Sequence, residues 1–459
     1  MKSFCTTGLI LFLSLGWAVS AAPAQSGEYG APTLLPLPDA APLLTESPVA
    51  NTKAIEPFNS AFATRKLQEP QAAPAPAASA PAIAAPADPA PKATAPTGGT
   101  ADDANAALWD DCGCDQCSTG RWFVNFGALA MTRNRANPYW TTYQTNNNPN
   151  QLMNTQNAGA GWAGGGQLTL GYAFCGCGGC GNGCDSCGTG CDPCGQCASA
   201  GPALAFTYWG LTPMTGFAST VDQTNNINTA LSTPIDLGGV TISGQPAGSY
   251  FDNAHEQRIW RSDRVNNFEV NLLQAGVINT GRLQVTALAG FRYFRFSESL
   301  TYGSVAFGHN FGDQGGADEA YLGFRCVNNL FGGQIGAIFN YAVTDRFGLF
   351  FVPKVGIYGN QMNCQTLLYS GDQAANPTYN IAANKSDISF LSELDSGVNW
   401  AWTQNVRLYM GYRVIGVANL ALADNQFLPF LADTQGFSQV KQSGSIIIHG
   451  AMAGLTWMF

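Results

Sequence analysis

The chain has 459 residues, of which 46% are hydrophobic, 11% aromatic and only 11% charged; it contains 53 glycines and carries a net charge of −9. A soluble protein normally has about 25% charged residues, so this composition cannot clothe a water-soluble body of such size. Beyond the N-terminus no apolar run approaches the roughly 20 residues of a membrane helix. Together these exclusions leave a β-rich membrane protein. With 21 Lys and Arg and no basic stripe, nothing is placed to neutralise phosphates along a nucleic acid, which argues against such a partner.

Residues 1–21 read as a secretory signal peptide. Lys2 supplies the positive end, Gly8 to Val19 the apolar stretch, and Ser20, Ala21 and Ala22 the small residues at a cleavage site. A retained anchor is the alternative, but the run is short and passes at once into AAPAQSGEYG. Residues 22–105 are dominated by Ala and Pro, which cannot bury enough apolar surface to offset chain entropy; they read as an extended or disordered linker. Residues 106–120 form a short segment with Cys112, Cys114 and Cys117.

From Arg121 onward the apolar period is two, the mark of strands with two different faces. In RLQVTALAGFRYF one face is Leu283, Val285, Ala287, Ala289, Phe291 and Tyr293, and the other holds Gln284, Thr286, Gly290 and Arg292. The pattern recurs in NVRLYMGYRV, RFGLFFVPKVGIY, GQLTLGYAF and RVNNFEVNLL. Ten strands are expected, at about 121–133, 164–174, 203–213, 264–276, 282–303, 320–343, 346–361, 387–402, 405–418 and 445–459. The joins after the fourth, sixth and eighth are short, whereas those after the first, third, fifth, seventh and ninth are long and rich in Asn, Gln, Gly and Asp. Short turns at one end and long loops at the other are the pattern of a transmembrane antiparallel up-and-down β-barrel. The expected fold is therefore all-β with about ten strands, twelve being the alternative, over residues 121–459.

Both termini of an even-stranded barrel lie at its short-turn end, which is the periplasmic one. The Cys-rich insertion at 175–201, following the second strand, then shares that side with Cys112, Cys114 and Cys117. It contains Cys175, Cys177, Cys180, Cys184, Cys187, Cys191, Cys194 and Cys197. Its C-x-x-C steps would suggest zinc or iron–sulfur in a reducing cytosol. In an exported chain a disulfide-stapled knob is preferred, with metal, redox chemistry and intermolecular linkage as alternatives. These eleven cysteines are an odd number, so one thiol is left over or bonds another chain, and self-association through this segment is a candidate interaction. A further pair follows from register: if one hairpin turns at Thr344 and Asp345, residues whose numbers sum to about 689 face each other. Cys326 and Cys364 then become cross-strand neighbours within disulfide reach.

The inward set should include Glu269, Arg292, Lys354, Glu393, Asp395, Arg407 and Arg413, which line a lumen or neutralise one another in pairs. About ten strands leave at best a narrow passage. The C-terminal HGAMAGLTWMF puts Leu455, Trp457 and Phe459 on one face, an ending that resembles the closing strand presented to the outer-membrane assembly machinery. Trp122, Trp140, Trp162, Trp209, Trp400, Trp402 and Trp457 fall near expected strand ends, where interfacial aromatics collect. Three histidines, His255, His309 and His449, accompany no nucleophile elbow, zinc motif, phosphate loop or dinucleotide fingerprint, so no enzyme and no cofactor is read here.

The stretches RWFVNFGALAMTRN, GGGQLTLGY, NNFEVNLL, GFRYFRFSESL, NNLFGGQIGA, GYRVIGVANLALADNQ and GLTWMF resemble, in order and sense, the β-barrel porin family 7 of planctomycete bacteria. The likeness covers roughly Arg121 to Phe459 and implies a bacterial outer-membrane barrel in contact with outer-membrane lipid, with porin-like passage of small solutes. The competing expectation is a structural or surface protein whose barrel is only an anchor. The Cys-rich insertion departs from the resemblance.

Overall fold

The computed structural model describes residues 120–144, 151–174, 201–224, 226–230, 240–306, 308–427 and 439–459. The expected signal peptide, the linker and both cysteine clusters, Cys112 to Cys117 and Cys175 to Cys197, lie outside the described residues. Ten strands form the body and are labelled here in chain order. They are β1 (Arg121–Arg133), β2 (Ala163–Ala173), β3 (Pro202–Leu211), β4 (Glu256–Thr280), β5 (Leu283–Val305), β6 (Glu319–Ala342), β7 (Phe347–Ser370), β8 (Tyr379–Ala401), β9 (Val406–Leu420) and β10 (Gly444–Met458). Each pairs antiparallel with its sequence neighbours, and β1 pairs with β10, so the ring closes with no free edge around its girth. It is a ten-stranded up-and-down barrel.

Register sets its geometry. Stepping across paired residues from Ile388 of β8 leads through Gly359, Phe331, Tyr293, Phe268, Tyr208, Leu168, Phe126, Leu455 and Leu408, and returns to β8 at Trp400. The path comes back 12 residues displaced, a shear of 12 for ten strands. With a rise of about 3.3 Å per residue and a strand spacing of about 4.8 Å, this shear tilts the strands by about 40° and gives a backbone diameter of about 20 Å. Because the displacement is even, a residue that faces out at the start still faces out at the end.

The outer wall is apolar over a limited height. On β7 the exposed outward residues are Phe347, Leu349, Phe351, Val355 and Ile357, followed by Gly359, Gln361 and Asn363. Ten residues of rise at that tilt span about 25 Å, the height of the apolar band on an outer-membrane barrel. Trp122, Trp400, Trp402 and Trp457 are exposed at the short-turn rim of this band and Trp162 at the opposite rim. Trp209 departs from the expected girdle, being 0% exposed inside the barrel, because it alternates in phase with the inward Ala203, Ala205 and Thr207. Trp140 belongs to a small sheet formed with the loops. On β10, Trp457 is exposed and Leu455 half-exposed on the outward face, and Phe459, just past its end, is exposed. Phe459 and Trp122 exchange backbone hydrogen bonds of 3.0 and 3.1 Å where the ring closes.

Several strands run past the band at the long-loop end. β4 begins at Glu256 instead of 264, β7 continues to Ser370 instead of 361, and β8 begins at Tyr379 instead of 387. Met214–Val221 prolongs the line of β3 and pairs with the start of β4. Above the band the outward residues no longer need to be apolar, so the contrast that marks a strand in sequence fades although the ladder continues.

Candidate functional site

Inside the barrel the charged residues fall into two layers. The first lies at mid-height of the band and joins β4, β5, β7, β8 and β9. Arg292 Nη2 donates to Glu269 Oε1 at 2.5 Å and to Glu393 Oε2 at 2.7 Å. Lys354 Nζ reaches the same two carboxylates, at 3.3 Å and 2.8 Å. Arg413 holds Asp395 with two parallel bonds of 2.7 Å and lies 3.8 Å from Glu393. Glu269 also accepts from Asn267, Asn271 and Gln334 at 3.0, 2.9 and 2.9 Å. Three cations thus face three carboxylates, and the layer is formally neutral. Six of the seven residues expected in the lumen are in this network. Arg407 lies apart from it, buried near the short-turn end of β9 between Ala401 and Thr456.

Directly above is an apolar layer to which all ten strands contribute. Met131, Ala163, Trp209, Val265, Phe294, Leu330, Tyr358, Leu391, Ile415 and Ile448, one from each strand in order, are buried to between 0 and 4% exposure. A water-filled bore would leave its lining accessible; here these ten side chains are buried, with Leu211 packed against them. Phe294 stands edge-on to Trp209 at 6.2 Å between ring centroids, across the inside of the barrel. Below the first charged layer the lining is mixed: Asn125, Gln167, Thr169, Thr207 and Thr456 are half-exposed and polar, whereas Ala203, Ala205, Leu273 and Leu288 form a buried apolar cluster against Phe123 and Ile338. Here Gly127 and Gly454 make room for Tyr409, whose hydroxyl would lie 2.5 Å from a Cβ at either position.

The second charged layer caps the apolar one and was not read from the sequence. Arg133 Nη1 donates to Asp263 and Glu298 at 3.0 Å each. Arg261 pairs with Glu298, donates to Asp424 at 2.5 Å and bonds the carbonyl of Ala158 at 3.0 Å. Asp424 comes from the loop after β9, which turns into the barrel mouth: Leu420, Ala421, Leu422 and Ala423 are buried. The amide of Ala423 donates to Glu298 at 2.7 Å, and the Asn328 side chain bonds both polar groups of Ala421 at 2.8 and 2.9 Å. Two arginines meet three carboxylates in this layer. Burial, with Glu298 alongside, pushes the Asp424 carboxyl up to about 6. Strand parity carried a signal for Arg133, Arg261 and Asp263, which share the phase of Met131 and Glu269, but 261 and 263 fell before the expected start of the fourth strand. No local signal announced Asp424.

Cys326 of β6 lies opposite Cys364 of β7 and is disulfide-bonded to it. His309 sits 3.3 Å from Asp318 in a loop-lined cavity of about 530 Å³ with Asp252 and Asn253. His449 faces outward and meets the Tyr412 hydroxyl at 2.5 Å. These histidines share no site.

No protein-family model matches the chain, and no curated protein does. Among solved structures it is similar to the outer membrane protease OmpT of Escherichia coli, with 11% identity over 75% of this chain and 98% of that one, at a TM-score of 0.34. A major outer membrane protein of Thermus thermophilus gives 9% identity over 74% and 99%, at 0.27. The CymD monoaromatic hydrocarbon channel gives 8% over 74% and 89%, at 0.25. At such scores the barrel assignment stands on the closed ring and the apolar band of the chain itself.

Proposed function

We propose that this protein is a closed outer-membrane barrel that anchors a structured surface region, formed by its long loops and its strand tops, with both termini in the periplasm. The unequal loop lengths support that orientation. The apolar layer carries the reading, because a septum built from all ten strands and braced by charged networks on both sides leaves no wet path. The test is planar-bilayer conductance of the refolded mature protein, with and without reductant. The wild type is expected to be silent. A Trp209→Ala/Phe294→Ala/Phe296→Ala variant, Phe296 being the next inward residue of β5 and also 0% exposed, is expected to conduct if it retains the heat-modifiable folded band. Steady wild-type steps would refute the closed barrel and favour the second reading, porin-like passage of small solutes, which the half-exposed polar residues below the first charged layer support.

A further inference from the structure

The outer wall carries a feature that neither anchoring nor passage requires. We propose that Arg264 and Arg295 together bind the phosphate group of an outer-leaflet lipid, at the long-loop rim of the apolar band.

Strand alternation separates these two cations from the acids beside them. Asp263 and Glu298 point into the barrel, are 0% exposed and are engaged with Arg133 and Arg261, whereas Arg264 and Arg295 are exposed on the outside. Neither makes a hydrogen bond or an ion pair with a described residue. Arg264 lies opposite Ser297 and Arg295 opposite Asn266. The two are therefore diagonal neighbours on β4 and β5, about 7–8 Å apart at the backbone, a spacing from which two guanidinium forks can close on one phosphate. Arginine suits that task because its planar donors bind phosphate oxygens in pairs.

Their height identifies the ligand as a lipid. Just below them on the same two strands are Phe268 and Phe291, exposed and apolar. The step between is marked by two hydroxyls turned toward the polar side: Tyr208 donates to Asn266 at 3.1 Å, and Tyr293 to Asn329 at 2.9 Å. A phosphate held by the arginines would leave its acyl chains running down the wall over the two phenylalanines. Anionic headgroups at a membrane surface attract such exposed cations.

The leaflet named rests on the orientation proposed above. Binding in a detergent micelle does not, so the two can fail separately. The experiment is native mass spectrometry of the mature protein in micelles, titrated with diphosphoryl lipid A and, in a parallel arm, with inorganic phosphate. One retained lipid A per barrel is expected, weakened about tenfold or more by Arg264→Gln/Arg295→Gln. Arg325→Gln, which removes an outward charge higher on β6, should leave retention unchanged, and millimolar inorganic phosphate should not displace the lipid. Both positions are exposed, so the double variant should keep the wild-type heat-modifiable band. Retention unchanged in the double variant, equal loss in Arg325→Gln, or displacement by inorganic phosphate would each overturn the proposal.

Discussion

Removing Arg292 alone should destabilise the barrel far more than removing it together with Glu393. In Arg292→Met, three buried carboxylates face two cations, and Glu269 and Glu393 lose contacts of 2.5 and 2.7 Å. An uncompensated buried charge costs about 3–5 kcal/mol. In Arg292→Met/Glu393→Leu the layer is neutral again: Lys354 stays 3.3 Å from Glu269, and Arg413 keeps its paired 2.7 Å bonds to Asp395. Glu269 also retains Asn267, Asn271 and Gln334. Glu393→Leu alone likewise leaves one buried charge uncompensated, at about the same cost, whereas replacing a buried pair by apolar residues of similar volume is often neutral; the double variant should therefore lose no more than about 1–2 kcal/mol, and a double-mutant cycle should return a coupling of about 4 kcal/mol or more. Urea unfolding of the refolded barrel in detergent, followed by tryptophan fluorescence, measures all four corners of the cycle. A double variant that loses the sum of the two single effects would refute the view that these residues act as one neutral network.

Asp424→Asn should be tolerated, since it brings the upper layer to two cations and two carboxylates while an amide oxygen can still accept from Arg261. The folded-state pKa of about 6 lies above the ordinary value of 3.8, so folding takes up a proton between them. Wild-type stability from this group therefore falls as pH rises from about 4 to about 6 and is level above that. The variant should be the more stable of the two above pH 6, with the difference vanishing toward pH 4; equal pH profiles of melting temperature would contradict this. For the Cys326–Cys364 bond, 38 residues apart, chain entropy sets an upper estimate of roughly 4 kcal/mol lost in Cys326→Ser/Cys364→Ser. An unreduced digest should contain the two cysteine peptides joined, and finding them only as free peptides would count against the bond.

Within the membrane band strand parity was legible in the sequence, with Trp209 the exception. Lipid outside demands apolar residues at every second position, so the inward parity of Glu269, Arg292, Lys354, Glu393, Asp395, Arg407 and Arg413 could be read residue by residue, as could the facing of Cys326 and Cys364 around one short turn. Where that demand ends, most of the legibility ends with it, and only the register of the Thr344–Asp345 turn reaches higher, to Cys326 and Cys364. The strand tops at Glu256 to Asp263, past Gln361 and before Asp387 carry no apolar alternation, although their ladders continue unbroken. Parity assigns a side chain to the inside but not to a height, and partners at one height sit on strands far apart in sequence, 165 residues for Arg133 and Glu298 and 331 for Asn125 and Thr456. Only closure at a shear of 12 decides which inward residues share a level. That closure stacks an apolar septum between two charged layers, and it brings Asp424 from a loop into the barrel mouth beside Arg261.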